Sequence, residues 1–401
     1  MLYSAKGIIA ESEENARSLF GSGKTVYSTE GSSLSIRAML YLALLWGKRQ
    51  GKEPVIFAGR NAHRVFHSAA ALLDLRVEWL FGESDSLISC SITPEALDSA
   101  LSGTSKKPFA VYLTSPDYLG NILDIKALSA VAERHGVLCL VDNAHGAYLR
   151  FLDKSQHPID LGAHICADSA HKTLPALTGA GYLHISENAP RLLFDEAESA
   201  MALFASTSPS YLTLQSLDAV NRYISEDYPQ RLRDFCDRIS VLKVELSSVG
   251  YRFMGNEPLK LTVDAKSYGY FGDELGEILS KQGLVCEHAD KDMTVLMLTP
   301  EIGEDGLELL RSALLSIEKK EEKTDSPPPI HRRDSVISAR EAIMSARETV
   351  KVKDSLGRVL ADLSVSCPPA IPIVACGEVI DENAIRLFEY YGTDTVSVIK
   401  K

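Results

Sequence analysis

Residues 137–141 form an unbroken apolar run, Val-Leu-Cys-Leu-Val, that ends at Asp142. A strand buried on both faces has this pattern, because helices cover each side of a parallel sheet. Short apolar segments of this kind alternate with helical patterns over residues 25–190, which is typical of βα units. The run therefore predicts the central strand of a mainly parallel, doubly wound α/β sheet.

The other strands of this sheet are expected at six further short apolar segments. They lie at residues 25–28, 55–58, 77–81, 109–113, 164–168 and 179–185, the last of them antiparallel. Helical periodicity predicts helices at 7–20, 34–46, 64–73, 93–102, 125–135, 212–224 and 229–249. The sequence thus predicts that a large α/β domain occupies residues 1–225.

The second half of the chain has a different organisation. Strands at 259–263 and 294–298, with helices at 273–282 and 303–318, predict a small α+β domain over residues 226–318. Residues 319–334 are charged and rich in proline, which is typical of a linker. A C-terminal segment, residues 335–401, is expected to hold two helices.

Composition excludes several classes of partner. The chain has 401 residues and a net charge of -12, so a broad surface for nucleic acid or anionic membrane is not expected. The apolar residues 39–46 are followed at once by Gly47, Lys48 and Arg49, so no run reaches membrane-spanning length. Residues 1–14 lack the basic and apolar regions of a signal peptide. Seven scattered cysteines without a C-x-x-C pair indicate free thiols in a cytoplasmic protein.

One glycine-rich stretch imitates a nucleotide-binding motif. Gly21-Ser22-Gly23-Lys24-Thr25 matches the end of a P-loop, but position 18 holds serine where the first glycine belongs. The segment before it has a helical pattern, whereas a P-loop follows a strand. We therefore expect a turn between a helix and a strand here.

Ser32 and Ser33 precede the long apolar helix expected at 34–46. The N-terminus of a helix offers backbone N–H groups and the positive end of a dipole, so these serines are candidates for holding a phosphate. The alternative is that Ser32 simply caps the helix. Both interpretations agree with the sequence.

Two further candidates stand where predicted strands end. His63 lies between a strand and a helix, and Asp142 follows the central strand; ligands bind at such positions in open α/β sheets. The alternatives are a histidine that packs or caps at the start of a helix, and a loop aspartate that caps the next turn. Neither alternative is excluded by the residues themselves.

Lys172 lies in the segment Ser169-Ala170-His171-Lys172-Thr173, among hydroxyl groups and a histidine. Such a lysine is either a covalent anchor for an aldehyde or an ordinary surface lysine. A metal site built from His164, Cys166 and His171 is a weaker idea, because no second pair of ligands follows at a zinc-like spacing. A buried structural cysteine accounts for Cys166 equally well.

Taken together, these candidates match the requirements of a pyridoxal phosphate site. That cofactor needs an amine for its aldehyde, a cradle for its phosphate, a carboxylate for its ring nitrogen and a flat group on its ring face. Lys172, the serines at 32 and 33, Asp142 and His63 supply one of each. The combination favours this cofactor over the separate alternatives.

The chain resembles the fold-type I Orn/Lys/Arg decarboxylases, as an N-terminally short member. The likeness is carried by residues 142–147 (DNAHGA), 168–178 (DSAHKTLPALT), 207–211 (TSPSY) and 369–372 (PAIP) with Gly377-Glu378. Residues 60–63 and 114–120 are also similar to segments of the family. The resemblance implies pyridoxal-phosphate-dependent decarboxylation of lysine, arginine or ornithine to the amine and CO2, by way of an external aldimine.

The resemblance also implies a role for each candidate. Lys172 is expected to be the Schiff-base anchor, Asp142 the partner of the ring nitrogen, and His63 the residue stacked on the ring. His145 is expected beside the cofactor, and the phosphate-binding residues are expected to be Ser32, Ser33, Ser169 and His171. Thr207 is expected to reach the cofactor of a partner subunit, because this family builds its sites across a dimer interface. The expected protein is a cytoplasmic homodimer, or a higher homo-oligomer, of polyamine biosynthesis.

Other outcomes stay open at this point. The altered residues near the site also allow a lyase or an aminotransferase that uses the same cofactor on another amino acid. A non-enzymatic paralogue is a third hypothesis, although it has no reason to keep Lys172, Asp142 and His63 together. Asp117 and Glu378 are candidate contacts for a substrate ammonium, or else ordinary loop charges.

Overall fold

A seven-stranded sheet forms the centre of the protein in the computed structural model, which describes residues 3, 6–82, 86–363 and 370–400. Its strands run in the order β1-β7-β6-β5-β4-β2-β3. Only β7 is antiparallel to its neighbours. The strands are β1 (Lys24–Ser28), β2 (Val55–Gly59), β3 (Arg76–Leu80), β4 (Ala110–Thr114), β5 (Leu138–Asp142), β6 (Ile165–Asp168) and β7 (Gly181–Ile185). The predicted mainly parallel sheet is confirmed, including its antiparallel strand.

Nine helices accompany this sheet within the described residues. They are α1 (Ile8–Phe20), α2 (Gly31–Arg49), α3 (Arg64–Leu72), α4 (Pro94–Ser102), α5 (Ile125–Arg134), α6 (Ala170–Thr173), α7 (Arg191–Phe204), α8 (Tyr211–Ser225) and α9 (Tyr228–Ser248). The helix α1 ends at Gly21 in the left-handed region, with φ of 65°. A helix therefore precedes the glycine-rich turn, as expected, and the P-loop interpretation stays excluded.

Both faces of the sheet are buried, which explains the apolar character of β5. Alternate residues of that strand pack on opposite sides: Leu140 joins a core with Leu40 and Phe66, whereas Cys139 joins another core with Leu128. Because each strand must satisfy two apolar layers, its sequence shows no polar alternation. This arrangement leaves the strand ends as the place where polar side chains gather.

A second, antiparallel sheet follows in the order β10-β11-β9-β8. Its elements are β8 (Phe253–Met254), β9 (Lys260–Asp264), α10 (Gly272–Lys281), β10 (His288–Ala289), β11 (Met293–Met297) and α11 (Gly303–Ser316). The two-residue strands β8 and β10 were not predicted, since neither has a hydrophobic pattern long enough to detect.

The C-terminal segment differs from its prediction. It contains the two helices α12 (Ala339–Met344) and α13 (Glu382–Tyr390), but also a two-stranded antiparallel sheet of β12 (Arg347–Lys351) and β13 (Thr395–Ile399). β12 is exposed at every second residue and carries few apolar side chains, so it lacks the usual signal of a strand. Residues 364–369 lie outside the described residues. They include Pro369, the first residue of the family-like signature at 369–372.

Two smaller expectations concern the whole chain. The six described cysteines carry free thiols, whereas Cys367 falls in an undescribed stretch. Among the residues that the structure describes, no helix combines the length and apolar character that crossing a bilayer requires.

Candidate active site

A cavity of about 450 Å³ opens at the carboxyl edge of the first sheet. Strand ends and the helix N-termini that follow them supply its walls, which is the usual location of ligands in open α/β sheets. The structure brings eight of the nine predicted site residues to this cavity: Ser32, Ser33, His63, Asp142, His145, Ser169, His171 and Lys172. Residues that are far apart in the sequence therefore line the same cavity.

The N-terminus of α2 forms one end of the cavity. Ser169 Oγ donates a hydrogen bond to Ser32 Oγ at 2.9 Å, so the two hydroxyls meet above the helix. Glu30, not Ser32, occupies the N-cap position, and no side chain caps the helix within the described part of the chain. The interpretation of Ser32 as a cap is therefore wrong, and the start of the helix faces the cavity uncapped.

The backbone approaches this helix start very closely. A Cβ added to Gly181 would lie 2.9 Å from the carbonyl carbon of Gly31 and 3.1 Å from Ser32 N. Because both contacts are with backbone, a larger residue at 181 would have to displace the turn that begins α2. This position requires glycine for close approach, which the sequence pattern did not reveal.

Asp142 lies at the end of β5 and is 3% exposed. Tyr112 donates to its Oδ2 at 2.9 Å, and Ala144 N donates to its Oδ1 at 3.2 Å. Burial raises the pKa of this carboxyl, and the hydrogen bonds from Tyr112 and Ala144 partly oppose that change. A cation placed beside Asp142 would stabilise the charged carboxylate.

His63 does two things at once. Its Nδ1 accepts a hydrogen bond from Val65 N at 3.3 Å and so caps α3, while its ring lines the cavity. The capping alternative and the site interpretation are therefore compatible. Burial, followed by the charges of Lys172 and Arg64, lowers the pKa of His63 to about 4. The ring is neutral near pH 7 and presents a flat uncharged face.

Lys172 follows β6 in the short helix α6, and its Nζ lies 2.8 Å from His145 Nε2. Burial lowers the pKa of the Lys172 amine, although the carboxylates of Glu287 and Asp142 oppose this effect. The lysine is therefore not the ordinary surface residue that was its alternative. Its environment favours the neutral, nucleophilic form of the amine.

Sequence reasoning missed several polar groups around the cavity. Asn61 and Thr114 line it, and the buried atoms Asn61 Nδ2 and Thr114 Oγ1 have no hydrogen-bond partner among the described residues. Tyr112 supports Asp142 from an apolar strand, and Lys260 reaches His145 Nδ1 at 2.9 Å from the second sheet. A hydroxyl in a buried strand is a signal that could have drawn attention to Tyr112, because buried tyrosine hydroxyls usually find partners. Lys260 has no comparable local signal.

Thr207 is the one predicted site residue that does not line this cavity. It is exposed in the loop before α8. The adjacent Ser206 N donates to Glu30 Oε1 at 2.8 Å, and Glu30 does line the cavity. The loop thus lies at the edge of the site, and Thr207 is exposed on it.

The two proposed contacts for a substrate ammonium have structural partners instead. Asp117 is buried and accepts from Ser89 Oγ at 2.6 Å and from Asn121 N at 2.9 Å. Glu378 is 1% exposed, lies 3.8 Å from Arg60 and accepts from Ala375 N at 2.7 Å. Both carboxylates are buried and already held by these partners, so neither is the exposed loop charge that was the alternative, and neither lines the cavity.

The metal site considered for His164, Cys166 and His171 is not assembled. His164 Nδ1 accepts from Cys139 N at 3.0 Å, whereas His171 lines the cavity. The metal-ligand-like group within the described chain is His157, Asp168 and His184, all buried. His157 Nε2 lies 2.9 Å from Asp168 Oδ2, and Asn143 Nδ2 donates to Oδ1 at 2.7 Å. These hydrogen bonds fix the end of β6, from which the Lys172 segment begins.

The order of the first sheet and the set of side chains at its edge define a fold-type I α/β enzyme. The chain belongs to the Orn/Lys/Arg decarboxylase family. The family model described as "Orn/Lys/Arg decarboxylase, major domain" matches residues 1–251, and the family model of the C-terminal domain matches residues 331–394. The resemblance seen in the sequence is confirmed. The chain is an amino-acid decarboxylase, and its family implies pyridoxal phosphate as cofactor.

Known proteins are similar over nearly the whole chain. Uncharacterized protein YaaO of Bacillus subtilis (strain 168) is 29% identical, over 96% of this chain and 82% of that protein. Arginine decarboxylase of the same organism is 27% identical, over 96% of this chain and 81% of that protein. Lysine decarboxylase A from Pseudomonas aeruginosa has a TM-score of 0.83 at 16% identity, over 100% of this chain and 72% of that structure. This last similarity supports the fold alone.

Proposed function

We propose that the protein decarboxylates a basic amino acid (arginine, lysine or ornithine) to the corresponding amine and CO2, with pyridoxal phosphate as cofactor. The observation that carries the proposal is that Lys172, Asp142 and His63 line one cavity whose end is the uncapped N-terminus of α2. An amine, a carboxylate, a flat ring and an anion cradle are the groups that this cofactor requires.

The residues present fit the cofactor in both charge and hydrogen bonding. Ser32, Ser33, Ser169 and His171 would hold the phosphate at the start of α2, where backbone N–H groups and the helix dipole favour an anion. Asp142 would hold the protonated ring nitrogen, and His63 would cover the ring. The unpartnered atoms Asn61 Nδ2 and Thr114 Oγ1 would hydrogen-bond with polar substituents of a ligand.

When bound, pyridoxal phosphate supplies an aldehyde that joins covalently to amines and a cationic ring that takes up the electron pair left by departing CO2. The chain's own residues do the remaining work. Asp142 would keep the ring nitrogen protonated, Lys172 would be the amine that anchors the aldehyde, and His145, 2.8 Å from Lys172, would be placed to exchange a proton with it. One proton must be delivered to the carbon that loses CO2, and Lys172 and His145 are the acids within reach.

Glu287 supports the choice of a cationic substrate. Tyr118 lines the cavity, and its hydroxyl donates to Glu287 Oε1 at 3.2 Å. Glu287 does not itself line the cavity, but it is hydrogen-bonded to Tyr118, which does, and its negative charge favours the protonated form of the Lys172 amine. We therefore assign Glu287, in place of Asp117 and Glu378, as the contact for the ammonium or guanidinium of the substrate side chain.

A homodimer agrees with the surface beside the cavity mouth. The exposed Thr207 lies close in sequence to Tyr211 and Leu212, which are 74% and 69% exposed, and Leu177 is 51% exposed. Leu177 N donates to Ser216 Oγ at 3.2 Å, which brings these apolar side chains onto one side of the protein. We propose that a second copy covers this surface and that Thr207 faces the partner's cofactor.

The test is a panel of amino acids supplied to protein purified with pyridoxal phosphate. We expect a visible absorbance band from the bound cofactor, attachment to Lys172 after borohydride reduction, and release of CO2 from a basic amino acid. The Lys172→Ala variant should show neither the band nor the attachment. A keto acid product would instead indicate an aminotransferase, and protein that takes up no cofactor would overturn the proposal.

A further inference from the structure

His145 lies between two lysines that come from different sheets. Its Nε2 is 2.8 Å from Lys172 Nζ, and its Nδ1 is 2.9 Å from Lys260 Nζ. Lys172 follows β6, whereas Lys260 opens β9 in the second sheet. Lys260 is 1% exposed and His145 is 6% exposed. A buried histidine with a lysine on each ring nitrogen requires an explanation, because lysine ammonium groups can only donate hydrogen bonds.

The surroundings of Lys260 determine its charge. Its Nζ lies 2.8 Å from Glu257 Oε2 as an ion pair, although at an angle outside that of a hydrogen bond. Nζ also donates to the carbonyl of Asp117 at 3.2 Å. The Glu257 carboxylate and the Asp117 carbonyl can only accept, so they stabilise the amine as an ammonium group, whose third N–H is left for His145 Nδ1. Lys260 is therefore the charged partner, and Nδ1 accepts.

The tautomer of His145 follows from this. A neutral imidazole carries one hydrogen, so when Nδ1 accepts, the hydrogen must reside on Nε2. Burial holds the pKa of His145 well below its ordinary range, and the charge of Lys260 lowers it further. The Nε2–H group then donates toward Lys172 Nζ, which must supply a lone pair. That geometry requires Lys172 to be a neutral amine.

We propose that Lys260, held by Glu257, is a positioning residue that fixes His145 as the Nε2–H tautomer and thereby keeps Lys172 neutral before the cofactor arrives. Its purpose rests on the proposed function, since it prepares Lys172 to capture an aldehyde and leaves His145 with a proton directed at the reacting amine. Without the ammonium, Nε2 would be free to accept from a protonated Lys172. The second sheet would then set the reactivity of a residue on the first.

Several other charged groups act on Lys172 and are unchanged by substitutions at Lys260. They are Asp142 on β5 and Glu287 before β10. These two carboxylates and Glu257 favour protonated Lys172, whereas Lys260 opposes protonation more strongly than Glu257 favours it. Removing Lys260 should therefore raise the pKa of the Lys172 amine and lower its reactivity near neutral pH.

The experiment uses protein stripped of cofactor, so that it is independent of catalysis. Competitive acetylation of Lys172 with acetic anhydride, followed by mass spectrometry across pH 6–11, reports the pKa of the amine. The variant Lys260→Met/Glu257→Gln removes both buried charges together, which avoids an unpaired carboxylate. Removal of Glu257 offsets part of the effect of removing Lys260, so we expect Lys172 to be acetylated about threefold more slowly at pH 7.5, which corresponds to a rise of about half a pKa unit. Lys260→Arg should retain most of the wild-type reactivity.

A second readout follows the histidine directly. In ¹⁵N-histidine spectra of the cofactor-free protein, the His145 signal should show a hydrogen on Nε2 in the wild type and lose that single pattern in the double variant. The control Lys266→Met/Asp292→Asn removes another buried ion pair of the same kinds of residue and should change neither measurement. A folded double variant with wild-type Lys172 reactivity, or a wild-type His145 with its hydrogen on Nδ1, would overturn the proposal. Absence of cofactor binding would contradict the proposed function alone.

Discussion

Tyr112 donates its hydroxyl hydrogen to Asp142 Oδ2 across 2.9 Å, and both side chains are buried at the edge of the first sheet. Tyr112 is on β4 and Asp142 is on the neighbouring parallel strand β5, two residues beyond Leu140, the register partner of Tyr112. The hydrogen bond stabilises the charged carboxylate, against the effect of burial. The ability of Asp142 to hold a cationic ring nitrogen therefore depends on an aromatic residue that itself lies outside the cavity.

The Tyr112→Phe variant tests this dependence. We expect weaker binding of pyridoxal phosphate in absorbance titrations and a loss of about 1.5–3 kcal/mol in the free energy of unfolding, because a hydrogen bond to a charged group is removed. Tyr182→Phe is a matched control: its buried hydroxyl has no hydrogen-bond partner among the described residues. That control should bind cofactor normally, and equal behaviour of the two variants would contradict the role of Tyr112.

The two functions of His63 can be separated by substitution. His63→Asn keeps a side chain able to cap α3 but removes the ring, so cofactor binding should weaken by about tenfold with little loss of stability. His63→Phe keeps a flat ring and loses the cap, so stability should fall by about 1 kcal/mol while cofactor binding is largely retained. Titration with pyridoxal phosphate and urea denaturation measure the two effects. The opposite pattern would mean that His63 serves only as a cap.

Buried histidines should make the protein sensitive to acid. Burial, followed by the charge of Arg60, lowers the pKa of His67 to about 3, and that of His63 is about 4. Between these values and the ordinary 6.5, the unfolded chain binds protons that the folded protein does not, so stability falls as the pH decreases. Each histidine should contribute about 1.4 kcal/mol per pH unit below pH 6. His67→Leu should reduce the slope by one proton, and an unchanged slope would refute this assignment.

Glu287 should control the preference for a cationic substrate. In Glu287→Gln we expect KM for the preferred basic amino acid to rise about tenfold, because one charge-assisted contact is lost, with little change in kcat. If that substrate is arginine, citrulline is a neutral isostere, and its kinetics should be unaffected by the substitution. A uniform loss of activity on both compounds would indicate that Glu287 supports the structure rather than the choice of substrate.

The strands of the first sheet and seven of its nine described helices could be predicted because their signals are local, whereas α6 and α7 were not assigned. The run at 137–141 is apolar because both faces of β5 are buried, and the ends of most elements fall within one or two residues of their predictions. The strands β12 and β8 could not be predicted in the same way. β12 is polar and half-exposed, and β8 has only two residues, so neither shows a usable hydrophobic period.

The residues of the site also separate into those with a local sequence signal and those without one. Lys172, Asp142 and His63 each stand directly after a strand, where topology alone gathers polar groups. The supporting residues Tyr112 and Lys260 are recognisable only from contacts between distant segments; Lys260 is 115 residues away from His145 in the chain. Asp117 and Glu378 show the converse. The sequence left them as candidate substrate contacts or exposed loop charges, whereas the structure buries both and gives them backbone and side-chain partners.

One wall of the cavity determines when the site becomes complete during synthesis of the chain. Ala370 and Ile371 line the cavity, and Ala370 O accepts from Arg64 N at 2.8 Å. Arg60 also donates to the carbonyls of Pro372 and Ile373. Both sheets are encoded upstream of residue 300, so on the ribosome they can form before this wall exists. During synthesis, the reactive side chains Asp142, His145 and Lys172 therefore precede the segment that closes their cavity, so the site is completed only after that segment has been made.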